Sequence, residues 1–142
     1  MTRLVVVVVS LFAVLSGCRV CTAIGCVNSV TFQLGAAAQH FRVDEPVEVS
    51  ACVGTQCVTE TVTVVSAGGS QTSTGGAVFF GTDGSLEVRF NTSVTGAQTV
   101  TLKLTKMGTV VLDQSRGGVT FSTFEPNGAG CQPICQTATV AL

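Results

Sequence analysis

Residues 98–106 constrain the fold most. Val100, Leu102 and Leu104 alternate there with Thr99, Thr101, Lys103 and Thr105, a period of two that gives a strand one dry face and one wet face. Leu86, Val88 and Phe90 alternate with Glu87 and Arg89 in the same way, and Asp83-Gly84 just before them supplies a hairpin turn from the segment 77–82. Val30, Phe32 and Leu34 make another dry face, as do Val47, Val49 and Ala51. Further strand candidates are 58–65, 110–112, 119–124 and 134–142. No long segment carries the apolar periodicity of a helix, and residues 36–41 could form one helical turn. Short strands spaced roughly ten residues apart without intervening helices predict an all-β chain. The expected architecture is an antiparallel β-sandwich of about seven to nine strands, immunoglobulin-like or transthyretin-like, with a small barrel as the alternative.

Composition agrees with this reading. Val and Thr, both β-formers, are abundant, and glycines punctuate them. The Gly/Ser/Thr-rich stretch 67–76 (AGGSQTSTGG) reads as a mobile surface loop. Seven Lys and Arg stand against eight Asp and Glu, a net charge of −1, with no basic cluster. Binding to nucleic acid and electrostatic capture by a membrane are therefore disfavoured.

The N-terminus has a different character. Arg3 is followed by an apolar run from residue 4 to 15 in which Ser10 is the single hydroxyl, the shape of a signal peptide. As a helix that run would rise roughly 18 Å, short of the roughly 30 Å hydrocarbon core a permanent span must cross. It ends in Leu15-Ser16-Gly17-Cys18, an aliphatic residue, two small residues and cysteine, which matches the bacterial lipobox. The match implies cleavage after residue 17 and diacylglycerol on the thiol of Cys18, so that the membrane is reached through an N-terminal lipid. The chain then divides into a leader at 1–17, a lipidated segment at 18–28 and one β-sandwich domain at 29–142.

Cysteine arithmetic fits that assignment. The chain has seven cysteines, and giving Cys18 to lipid leaves Cys21, Cys26, Cys52, Cys57, Cys131 and Cys135, which suggests three disulfides in an exported domain. Cys52 and Cys57 point outward from adjacent strands across a four-residue loop, 53–56, where a hairpin brings opposed residues within bridging distance. The other four allow three pairings. Local pairing joins Cys21 to Cys26 and Cys131 to Cys135; a sandwich with its first and last strands side by side favours links between the two groups.

The sequence LSGC, the hairpin CVGTQC and the ending GAGCQPICQTATVAL together resemble short envelope lipoproteins of high-GC Gram-positive bacteria that carry an immunoglobulin-like or transthyretin-like domain. The resemblance spans most of the chain after the leader. It implies a place on the extracytoplasmic face of the cell membrane, and it brings no activity and no catalytic residue.

Residues that could carry chemistry are few. His40, the one histidine, lies near Asp44 and Glu45 with no nucleophile elbow elsewhere, and an ordinary loop position accounts for it. Cys18-Arg19-Val20-Cys21 is formally C-x-x-C but lies outside any βαβ pattern. Zinc on the C-x₄-C and C-x₃-C pairs is less favoured than disulfides in an oxidising compartment. Glu60 falls on the dry face with Val58, Val62 and Val64, so a bulge, a rim or edge position, or a bound ligand must relieve its carboxylate. Glu87 and Arg89 read as a solvated strand face, and Asn91-Thr92-Ser93 is a formal glycosylation sequon. The chain has no Trp and no Tyr, which disfavours a glycan-binding surface.

These features lead to the expectation of a noncatalytic protein with no catalytic residue, metal ion or cofactor, serving a structural or protein-interaction role with a possible envelope protein partner. The alternative is small-ligand binding between the sheets or under the 67–76 loop. A hydrolase or thiol-redox enzyme using His40 or the cysteines comes last. The sequence carries no signal for the oligomeric state.

Overall fold

A computed structural model describes residues 25–66 and 71–142. The leader, Cys18, Cys21 and residues 67–70 lie outside the described residues. Strand β1 (Asn28–Gln33) leads into a 3₁₀ turn (Gly35–His40), followed by β2 (Pro46–Val53) and β3 (Gln56–Val64). Three short or medium strands come next, β4 (Gln71–Ser73), β5 (Val78–Phe80) and β6 (Ser85–Phe90). The long hairpin of β7 (Gln98–Lys106) and β8 (Thr109–Val119) precedes β9 (Ser122–Phe124) and β10 (Cys135–Ala141).

The strands form two five-stranded sheets, ordered β5-β6-β1-β10-β9 and β4-β3-β2-β7-β8. The fold is therefore an all-β sandwich. All the pairs are antiparallel except β1 with β10, which run parallel from Ser29 opposite Thr137 to Gln33 opposite Ala141. The strand count passes the expected range of seven to nine by one, because β4, three residues long, falls in the stretch read as loop, whereas β5 and β9 lie within the expected segments 77–82 and 119–124.

Alternation decides what faces inward. Val30 and Phe32 of β1, Leu86 and Val88 of β6, and Val78 of β5 are buried from one sheet. Val47, Val49 and Ala51 of β2, Val62 of β3, and Val100, Leu102 and Leu104 of β7 meet them from the other. Branched aliphatic side chains on both inner faces interdigitate into a core of about 10 Å thickness, and each one buried removes apolar surface from water worth about 2 kcal/mol. The threonines of β7 take the outer face, Thr99 exposed and Thr101 and Thr105 half-buried.

Two parts of the fold depart from the sequence reading. Residues 71–73 of the Gly/Ser/Thr stretch form β4 rather than loop, pairing with β3 from Val62–Ser73 to Val64–Gln71. The strand expected at 110–112 extends over eleven residues as β8, whose side chains are mostly exposed and so show no dry face to read. This strand is an edge. Register shifts against β7 at two places, together with Asp113, Arg116 and Gly117-Gly118, interrupt the regular row of unpaired backbone groups that would otherwise template another strand.

Candidate functional site

Among the described residues, the sequence-predicted cysteines gather at one end of the sandwich. Cys52 and Cys57 are directly opposed on β2 and β3, and their disulfide has a Cα–Cα separation of 4.0 Å. The connection between them is tighter than the expected four-residue loop. The strands continue to Val53 and Gln56, leaving a two-residue turn in which Gly54 takes a φ of +57°, a left-handed conformation that a side chain would strain.

Cys26 bonds to Cys135 with a Cα–Cα separation of 5.9 Å. This excludes the local pairings of Cys26 with Cys21 and of Cys131 with Cys135, and Cys131 is itself disulfide-bonded. The geometry follows from the parallel pairing of β1 and β10: Cys26 sits two residues before β1, and Cys135 opens β10 beside it. Asn28 reinforces the junction by accepting a hydrogen bond from the Gln136 backbone N–H at 2.9 Å, while the Gln136 side chain accepts from Val94 N–H at 2.5 Å. The five cysteines from Cys26 onward are thus oxidised and offer no thiolate to zinc. The Cys18-Cys21 pair lies outside the described residues.

A surface recess of about 620 Å³ lies at the same end, bordered by Val27, Cys57, Gly76, Arg89 and Asn91. Arg89 is not a free cation there. Its Nε donates to Glu87 Oε1 at 2.8 Å, and its guanidinium stands 4.0 Å from the centre of the Phe79 ring. The Glu87–Arg89 face is therefore a paired and stacked surface rather than a merely solvated one.

Glu60 is buried as expected, and its pairing with Val49 runs through an unbroken register with no bulge. Its carboxylate accepts from Ala77 N–H at 3.0 and 3.2 Å and from Val78 N–H at 3.2 Å. These donors lie at the start of β5, in the opposite sheet, so the carboxylate ties the sheets together where the chain crosses between them. A side chain at Gly75 would collide with Glu60 Oε1, which accounts for a glycine at that point of the crossover. Gln71 acts in parallel, donating to Val78 C=O at 3.1 Å and accepting from Phe80 N–H at 2.6 Å. Its amide thereby occupies the backbone groups of a sheet edge.

His40 ends the 3₁₀ turn at the other end of the sandwich. Its carbonyl accepts from Lys106 Nζ at 3.3 Å, and Lys106 also pairs with Glu45. That pairing holds the Glu45 carboxyl below its ordinary range, chiefly through the hydrogen bond from Lys106. Among the described residues no group of three or more His, Cys, Asp and Glu could hold a metal ion, and no helix is long and apolar enough to cross a membrane.

Fold and site together define a disulfide-stapled β-sandwich whose described cysteines collect at the end where β1 begins. Compared with family models, curated proteins and solved structures, the chain matches none.

Proposed function

We propose that the chain is a noncatalytic exported lipoprotein, anchored through lipid on Cys18 to the extracytoplasmic face of the cell membrane, whose sandwich serves a structural or protein-interaction role in the envelope. The observation that carries this reading is the apolar run at 4–15 ending in Leu15-Ser16-Gly17-Cys18. Two acyl chains, at about 0.8 kcal/mol per buried CH₂, give a stable anchor where one chain binds marginally. Disulfides in the domain support an oxidising location. Intact-mass analysis of the processed protein tests the reading: the expected result is a mature chain beginning at Cys18 with a diacylglycerol adduct that Cys18→Ala abolishes. An unmodified Cys18 overturns it.

A second reading, small-ligand binding, is favoured by the recess of about 620 Å³, which falls within the size range of small-molecule sites. Crosslinking in intact envelopes separates the two. A reproducible protein partner supports the first, and a co-purifying small molecule with no such partner supports the second.

A further inference from the structure

We propose that the domain lies against the bilayer through an apolar patch formed by Val27, Phe124 and Ile134, so that the lipid anchor is the first part of a larger membrane contact. The proposal rests on the lipoprotein reading of Cys18.

Val27, Phe124 and Ile134 are 47%, 54% and 36% exposed, large apolar side chains open to the surface. All three are grouped by the Cys26–Cys135 disulfide. Val27 follows Cys26, Ile134 precedes Cys135, and Phe124 is the direct cross-strand partner of Cys135 in the β9–β10 pair. Phe124 and Cys135 therefore project from the same outer face of their sheet.

The length of chain before Cys26 decides what covers this patch. Cys18 is eight residues away, which at full extension spans at most about 28 Å. An acylated Cys18 sits in the membrane interface, so the patch is held within that distance of the bilayer and usually nearer.

The other large apolar residues that are exposed among those described, Met107, Val43, Val65 and Val110, lie toward the far end. Val27 borders the recess with Gln56 and Cys57 of the β2–β3 hairpin, whose turn bonds through Gly54 N–H to Thr99 C=O. Met107 lies at the opposite end of the β2–β7 pair, beside Glu45 and Pro46. An eight-residue strand separates the ends by about 26 Å. The tether thus enters at the Val27–Phe124–Ile134 end, which lies about one strand length nearer the anchor than the Met107 end. No cationic cluster is required, and the contact is apolar, suited to a zwitterionic as well as an anionic surface.

The absence of tryptophan from the chain makes the test clean, because one introduced indole is the sole indole reporter. Processed full-length protein carrying Phe124→Trp, and separately Met107→Trp, is reconstituted into phosphatidylcholine vesicles whose acyl chains carry bromine, a contact quencher. Phe124→Trp emission is expected to be quenched and blue-shifted, and Met107→Trp emission unchanged. Adding Val27→Ser and Ile134→Ser to Phe124→Trp is expected to reduce quenching by roughly threefold, since much of the apolar contact is removed. Val27→Trp serves as a second reporter of the patch should Phe124→Trp perturb folding, which circular dichroism reveals. Acylated protein in which neither patch reporter is quenched, or in which Met107→Trp is quenched more, overturns the docking while leaving the lipoprotein reading intact. An unacylated mass from the same preparation overturns the lipoprotein reading itself, and the docking with it.

Discussion

The buried carboxylate of Glu60 accepts hydrogen bonds from the backbone N–H groups of Ala77 and Val78, joining β3 of one sheet to the start of β5 in the other. A side-chain acceptor at this crossover does what a ladder bond cannot, because the two strands belong to different sheets.

Glu60→Ala leaves these donors without an acceptor in a buried setting. It is expected to destabilise the domain by about 2–3 kcal/mol in urea denaturation, with Glu60→Gln costing less because one amide oxygen still accepts. Equal stability of Glu60→Ala and the parent would show that solvent replaces the carboxylate at no cost.

The two located disulfides differ in reach. Cys26 and Cys135 are 109 residues apart in sequence and Cys52 and Cys57 only five. Chain-entropy arguments give about 5 kcal/mol for closing the long loop and about 2 kcal/mol for the short one. The double substitution Cys26→Ala with Cys135→Ala should therefore lower the denaturation midpoint well beyond Cys52→Ala with Cys57→Ala. The reverse order would mean that the hairpin disulfide supports more than its own turn.

Cys131 is disulfide-bonded, while Cys26, Cys52, Cys57 and Cys135 are paired with one another. If Cys18 carries lipid, Cys21 is the cysteine left for Cys131. Nonreducing peptide mapping of the processed protein is expected to recover a Cys21–Cys131 linked pair. Recovery of Cys18 in that link would contradict the lipid assignment directly.

The Glu45 carboxyl lies below its ordinary range, first because Lys106 donates a hydrogen bond to it and then through the charge of Lys106. A depressed folded pKa contributes stability that is present above the unfolded carboxylate pKa and is lost as the pH falls through the folded value. In a pH titration followed by NMR, Lys106→Gln should move the Glu45 midpoint upward, toward the ordinary value. An unmoved midpoint would rule out Lys106 as the cause.

Met107 and Gly108 form the two-residue turn of the β7–β8 hairpin, with φ values of +52° and +76°. Left-handed backbone at both central positions suits Asn-Gly, and methionine is 93% exposed there with no packing to offset the strain. Met107→Asn is expected to raise stability by about 0.5 kcal/mol, measured as a higher denaturation midpoint. A drop would indicate that the methionine makes a contact outside the hairpin.

Much of the sandwich was legible because its signals are local. The alternation through Val100, Leu102 and Leu104 places buried residues on one side of β7 whatever else the chain does. Asp83-Gly84 specified its hairpin for a similar reason: Gly84 adopts a φ of +77°, and the Asp83 carboxylate accepts from Ser85 N–H at 3.0 Å and from its hydroxyl at 2.6 Å. The Cys52–Cys57 link needs nothing beyond a hairpin. By contrast β4 is drawn from a Gly/Ser/Thr stretch with no dry face, and β8 is too exposed to show one, so pairing with a neighbour makes each a strand.

By itself the sequence determined the β character of the chain, the inward face of its longer strands, the hairpin disulfide and the lipobox motif, since each depends on residues within a few positions of one another. Tertiary structure alone decided that β1 and β10 lie parallel, that Cys26 therefore meets Cys135, and that Glu60 finds its donors at Ala77 and Val78. Those partners are separated in sequence by up to 109 residues. The energy that selects them comes from closing two apolar faces on each other, a choice of neighbours that no local pattern encodes.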